Sequence, residues 1–475
     1  MRILLVNPPT MGSSESYDLL KISMPPLGLA YIAAAAEQEG HSVSILDCPA
    51  LGLGMSDVER QIRRARPDIV GVTSTTPQIG RAMKVVDLAK KAVPDIWTVV
   101  GGPHVTVLPE QTLAENKALD LCVVGEGEST FVELAGVLER GVDIEQRLSG
   151  VRGIAFRQGD GSIVRTGRRP PEDLEKLPLP ARHLLPMRQY QVLGKRGLVP
   201  NVLSSRGCAY HCIFCLTPCI FGRYRARSAE SVVDEIETIH SEYGFSKFEF
   251  SDDLFTKDPR RVRRICDLMR SRGLDLEWGC SARVDLVDQG LLETMKRAGC
   301  STIYYGVESG TQRILDFIRK GTNISQINRA FKITKRAGIE IFASFMMGFP
   351  GETKRDIERT ISFAKKLAPS YAQFSIATPY PGTALWRMVK RAGMLLPKTW
   401  TDYTATKVLI KLKELPEKQI ERLFRKAYES FYLSPRFLLS HLSKGHLDLF
   451  KFIWRFAISR ARGTPCSSVK DLTTF

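Results

Sequence analysis

Ser205-Arg206-Gly207-Cys208-Ala209-Tyr210-His211-Cys212-Ile213-Phe214-Cys215 brings three cysteines onto one short loop, with three and then two residues between them. Three is the informative number. A structural zinc site or an electron-transfer cluster usually closes its shell with four protein ligands. A [4Fe-4S] cluster held by three thiolates leaves one iron free for a small molecule. Tyr210 and Phe214 interleave the cysteines and would shield such a cluster from water. Read as zinc instead, the loop takes Cys219 as its fourth ligand.

The chain of 475 residues is long enough for two domains and an extension. Ten cysteines are too few for a disulfide scaffold, and the clustered ones have ligand spacing. Both points predict a reducing, cytoplasmic setting. The apolar run at Met1-Arg2-Ile3-Leu4-Leu5-Val6 is too short for a signal peptide. No stretch approaches the roughly 20 apolar residues of a transmembrane helix. The net charge of +17 gathers in the last third, at Lys407, Lys411, Lys413, Lys418, Arg422, Arg425 and Lys426. No compact basic run or RNA-binding signature goes with it, so nucleic acid is not an expected partner. Residues 447–458 mix dense aromatics with Lys451 and Arg455. Such a segment suits either peripheral contact with the inner face of a membrane or a cover for the open side of a barrel.

Residues 1–148 alternate apolar runs with helical patterns, the signal for a doubly wound (Rossmann-like) α/β domain with a parallel sheet. Strands are expected at 3–7, 42–47, 69–74, 98–102 and 119–125. Ligands of such sheets bind beyond the carboxyl ends of the strands. Those ends carry small and turn-forming residues: Ser74 and Thr75, Gly101, Gly102 and His104, and Gly125, Glu126 and Gly127. No G-x-G-x-x-G fingerprint follows the first strand, which argues against a dinucleotide. A β-hairpin and a linker with Pro170, Pro171, Pro178, Pro180 and Pro186 occupy 149–200. Strand–helix alternation then restarts over 201–385. Six β/α units predict a partial (β/α)6 barrel with function at its strand ends, followed by a helical C-terminal extension at 386–475.

The C-x3-C-x2-C loop resembles the signature of the radical S-adenosylmethionine (SAM) superfamily, including the aromatic Phe214 before the last cysteine. That resemblance implies a [4Fe-4S] cluster on Cys208, Cys212 and Cys215, whose open iron binds SAM. Reductive cleavage of SAM then makes a 5′-deoxyadenosyl radical. By the same resemblance Asp252, Asp253, Arg283, Glu308, Ser309, Gly348 and Pro350 sit at the SAM site. Asp252 and Asp253 have helix capping as their other reading, and Thr353 is the expected cap of the helix after Gly348, with Glu352 in its first turn. Tyr304, Tyr305 and Tyr380 are read as packing residues or as members of a radical path.

The N-terminal set, with Pro25-Pro26-Leu27-Gly28, Gly101-Gly102-Pro103-His104 and Gly125-Glu126-Gly127-Glu128, resembles the cobalamin-binding domain that precedes many radical SAM modules. It implies a corrin over the strand ends, with Ser74, Thr75, Gly101, Gly102, His104, Gly125, Glu126 and Gly127 around it. The D-x-H-x-x-G motif that places a cobalt-ligating histidine is missing, so His104 is expected to serve as a loop hydrogen-bonder. Together the modules resemble the class B radical SAM enzymes, which implies methylation of an unactivated carbon in a small-molecule or lipid substrate. A flavodoxin or ferredoxin is the implied electron donor. An oxidative cyclase similar to the anaerobic magnesium-protoporphyrin ester cyclase is the alternative reaction. A methylthiotransferase would need three further cluster cysteines upstream, where Cys48 and Cys122 stand isolated. A zinc- or cluster-stabilised binding protein is the non-enzymatic reading.

Overall fold

The computed structural model describes residues 1–10, 23–192, 195–196, 200–396 and 398–442. Two sheets carry the chain. The first has seven strands in the order Ser42–Asp47, Arg2–Asn7, Ile69–Thr73, Trp97–Gly101, Leu121–Val123, Ile154–Arg157 and Ile163–Arg165. The first five are parallel, because helices cross over between them. Ile3, Leu4, Leu5 and Val6 are all buried, as expected of a strand covered on both faces. The hairpin expected to open the linker instead adds two antiparallel strands to this sheet.

The second sheet has six parallel strands in chain order: Asn201–Val202, Lys247–Phe250, Glu277–Ala282, Cys300–Glu308, Glu340–Met347 and Tyr371–Ile376. Its first and last strands do not pair, so it is the open barrel expected. Strand Glu340–Met347 shows how the sheet curves. Ile341, Ala343, Phe345 and Met347 are buried toward the helices, while Phe342, Ser344 and Met346 are half-exposed toward the lumen. The helices that cover the outside begin with side-chain caps from Ser228, Asp258, Asp288, Asn323 and Thr353.

Helix Glu417–Tyr432 lies along the free edge of the last strand. The Tyr428 hydroxyl accepts from the amide of Phe374 at 3.2 Å and donates to its carbonyl at 3.0 Å. Tyr432, one helical turn on, does the same for Ala372 at 3.2 and 2.7 Å. Two phenols thus take the place of a seventh strand and satisfy an edge that would otherwise be open. This cover comes from 417–432; the basic segment at 447–458 lies outside the described residues. No helix among the described residues is long and apolar enough to cross a membrane.

Candidate functional site

The cysteine loop starts where strand Asn201–Val202 ends, and a buried carboxylate anchors it. Asp252 accepts from the Ser204 amide at 2.7 Å, the Ser204 hydroxyl at 2.6 Å and the Ser205 hydroxyl at 2.5 Å. Its oxygens are committed to the loop, so it supports the site rather than facing a ligand as expected. Asp253 is exposed and accepts from Thr217 Oγ1 at 2.9 Å, just beyond Cys215. Neither caps the next helix; Asp258 does. Gly207 has φ +83°, and a Cβ there would run into the Arg223 carbonyl, so the turn before Cys208 requires glycine.

Cys208, Cys212 and Cys215 are free, half-buried thiols. The loop between them is clamped at its centre: the Ile213 amide donates to the Ile318 carbonyl at 3.0 Å, and its carbonyl accepts from the Leu385 amide at 2.8 Å. Cys219 turns its thiol to the Gly382 carbonyl at 3.3 Å. Among the described residues no three His, Cys, Asp or Glu side chains converge on a point where one ion would sit. A four-iron cube spreads its thiolates wider than the roughly 4 Å separation implied by a tetrahedral zinc site. Three free thiols on a fixed loop fit such a cube.

At the barrel mouth the expected residues come together, but most are already paired. The Arg283 guanidinium binds Asp285 through two hydrogen bonds, at 2.9 and 3.1 Å, and stacks 3.5 Å above the ring of Tyr210. It steadies the cysteine loop, and its carboxylate partner is internal. Glu308 ends its strand with φ +65°, just past a slip in register against the neighbouring strand. Its carboxylate accepts from Lys320 Nζ at 2.8 Å, and both side chains are buried. Ser309 is fully buried against the hydroxyls of Thr311 and Thr360, behind the mouth. Gly348, at φ +88°, and Phe349 donate their amides to Glu352 at 2.6 and 3.1 Å, with Pro350 half-buried beside them. Thr353 caps the helix as expected, but Asp356 takes the place in its first turn given to Glu352. Burial pushes the Glu352 carboxyl up to about 7 despite the two amides.

Lys320 and Glu249 were not anticipated. Glu249 stands on the lumen face of Lys247–Phe250, where it accepts from the Tyr304 hydroxyl at 3.1 Å. Burial pushes its carboxyl up to about 7. A lone acid between Phe248 and Phe250 was the available signal; Lys320, after a helix, had none. Tyr304 therefore packs in the lumen, Tyr305 is buried with its hydroxyl 2.9 Å from that of Thr334, and Tyr380 donates to the Tyr403 carbonyl at 3.0 Å.

The strand ends of the first sheet face this loop. Gly102 holds φ +102° against the Ser74 backbone, and a Cβ there would come within 2.7 Å of the Ser74 carbonyl oxygen. Ser74 is buried and Thr75 exposed. Gly101 is half-buried, and a Cβ on Gly125 would meet nothing within 4 Å. Gly127 lies close to Ile32, with 3.0 Å left for a Cβ. Gly102 and Gly127 thus pack closely on Ser74 and Ile32, while Gly125 borders open space. His104 is buried, with Nδ1 3.3 Å from the Thr76 hydroxyl and Trp400 edge-on at 5.1 Å. Burial pushes it down to about 4, so it is a neutral loop hydrogen-bonder.

Glu126 does not face that space. It accepts from Arg206 at 3.0 Å and binds Arg225, while neighbouring Glu128 accepts from Arg206 at 2.6 Å. Arg206 stands two residues before Cys208 and is buried, so an ion cluster fastens the end of one sheet to the start of the cysteine loop. Helix Thr217–Ile220, just after that loop, packs on helix Pro103–Val107. The linker adds a Tyr190–Asp47 hydrogen bond at 2.7 Å.

Comparison with known proteins agrees with this division. A B12-binding-domain model matches residues 20–135, and a radical SAM superfamily model matches 202–364. An uncharacterized methyltransferase of Pyrococcus horikoshii is 41% identical over 94% of this chain and 95% of its own length. The anaerobic magnesium-protoporphyrin IX monomethyl ester cyclase of Rubrivivax gelatinosus is 33% identical over 82% of this chain and 70% of its own. The radical SAM methyltransferase TsrM of Kitasatospora setae, solved with cobalamin and a [4Fe-4S] cluster, shares the fold at TM-score 0.69. It is 20% identical and covers 82% of this chain and 75% of its own. The chain belongs to the cobalamin-dependent radical SAM enzymes, whose cofactors are a [4Fe-4S] cluster, S-adenosylmethionine and cobalamin.

Proposed function

We propose that this enzyme methylates an unactivated carbon of a small or lipid-like substrate. One observation carries the reading: the thiol loop and the glycine-lined strand ends are fastened face to face through Arg206, Glu126 and Glu128. Radical formation and methyl donation need that proximity. When bound, the cluster supplies the electron that cleaves SAM, and cobalamin carries the methyl group. Cys208, Cys212 and Cys215 would hold the cluster through their thiolates. Glu308 and the Gly348–Pro350 turn line the SAM side of the mouth, and Arg283 keeps the loop in place through Tyr210. Ser74, Thr75, Gly101, Gly102, Gly125 and Gly127 would line the corrin side, while His104 is held by Thr76 and Trp400.

The units are residues 1–148 with the hairpin for the corrin, 201–385 for radical formation, and 386–475 as the extension. The protein works in the cytoplasm with an acidic one-electron donor of the flavodoxin or ferredoxin kind. The cyclase-named relative at 33% identity favours oxidative cyclisation as the second reading. Anaerobic reconstitution with iron, sulfide and hydroxocobalamin tests both. Four irons, one corrin and release of 5′-deoxyadenosine from SAM are expected. Transfer of label from methyl-labelled SAM to bound corrin separates methylation from cyclisation. A chain that binds zinc and no iron would sink the reading.

A further inference from the structure

Buried cations are rare, and one lies against the cysteine loop with no part in the roles given above. Lys320 is buried, two residues beyond Ile318. The segment before it is fixed to that loop, since the Ile318 carbonyl accepts from the Ile213 amide at 3.0 Å, and Arg319 turns the chain with φ +54°. The ammonium donates to Glu308 at 2.8 Å. Gly306 makes room for the pair: a Cβ there would sit 2.5 Å from Glu308 Oε1 and 2.7 Å from Lys320 Nζ. Left-handed backbone at both Glu308 and Arg319 is strained for residues with a Cβ, and it flanks the ion pair on both sides.

We propose that Lys320 is a positioning residue that sets the reduction potential of the cluster, by placing a fixed positive charge behind the cysteine loop while orienting Glu308. The inference rests on the assignment of Cys208, Cys212 and Cys215 as cluster ligands. Reduction adds one electron to a cluster already surrounded by thiolates. A cation nearby in a low-dielectric site stabilises the reduced form and raises the potential, whereas an anion does the opposite. Lys320 and Glu308 therefore act with opposite signs, and a merely structural role would not separate them.

The test is an EPR-monitored redox titration of the reconstituted full-length protein in the absence of SAM, with iron and sulfide counted for each variant. Lys320→Met is expected to lower the equilibrium constant for reduction on the order of tenfold, about 59 mV for a one-electron couple. Lys320→Arg keeps the native potential, and Glu308→Gln raises it. An unchanged potential in Lys320→Met with four irons bound overturns the inference and leaves the function standing. A fall in Glu308→Gln overturns it equally. If Lys320→Met takes up no iron, Glu308→Gln decides alone, and only a rise supports the proposal. If the native chain itself takes up no four-iron cluster, both the functional reading and this inference fall.

Discussion

Two groups of carboxylates, at the joint between the sheets and in the lumen of the second, are treated differently. At the joint between the sheets, Glu126 and Glu128 meet Arg206 and Arg225 in a tight ion cluster. In the lumen of the second sheet, Glu249 meets only a phenol, and no cation pairs with it among the described residues. The joint's acids pair with arginines and hold two modules together. The lumen acid keeps its proton to about pH 7, because burial there is uncompensated. Identical side chains thus serve attachment in one region and leave a neutral, titratable group in the other.

The strongest way to break that contrast is Arg206→Ala. It strands the buried Glu128 carboxylate, leaves Glu126 to Arg225 alone, and is expected to destabilise the fold by about 3–5 kcal/mol, read by chemical denaturation. Next is the pH profile of the lumen acid. The folded protein holds the Glu249 proton up to about 7, whereas the unfolded chain releases it near 4.5. The folded state binds more protons within that window, so this group's contribution makes stability fall as pH rises through it. The slope is at most about 1.4 kcal/mol per pH unit. Comparing melts of native protein and Glu249→Gln from pH 4.5 to 7 should show the decline reduced in the variant; equal slopes would remove the lumen half of the contrast.

Gly102→Ala tests the uncharged side of the joint. The left-handed backbone and the Ser74 carbonyl predict a loss of about 1–3 kcal/mol, together with weaker retention of corrin after gel filtration. Smallest is Tyr428→Phe, which leaves both edge groups of Phe374 without their phenol. About 1 kcal/mol is expected, from thermal unfolding.

The fold was legible because periodicity is local. Strand Ser42–Asp47 coincides with its sequence expectation, and those expected at 3–7, 69–74 and 98–102 lie within one residue of it at each end. The thiol triplet was equally plain. Side-chain partnership was not, because it depends on residues far apart in the chain. Asp252 reads as a ligand contact until the hydroxyls of Ser204 and Ser205 are placed on it. Glu126 reads as part of a cofactor loop until Arg206 arrives from 80 positions away. Lys320 lies in an unremarkable Arg-Lys-Gly turn, and only the tertiary fold brings it to Glu308. The hydroxyls of Tyr428 and Tyr432 look like ordinary amphipathic helix positions until the bare strand edge lies beneath them.

The joint also has a place in time. Glu126 and Glu128 leave the ribosome 80 and 78 residues ahead of Arg206, and Glu126 leaves 99 ahead of Arg225. The seven strands of the first sheet are all made by residue 165, so that sheet is fully synthesised while its acidic loop still has no counter-charge. Until the arginines emerge, those carboxylates stay hydrated and the strand ends stay uncovered. The joint can therefore close only after the first sheet is complete, and the face it closes is open to solvent throughout translation of the linker.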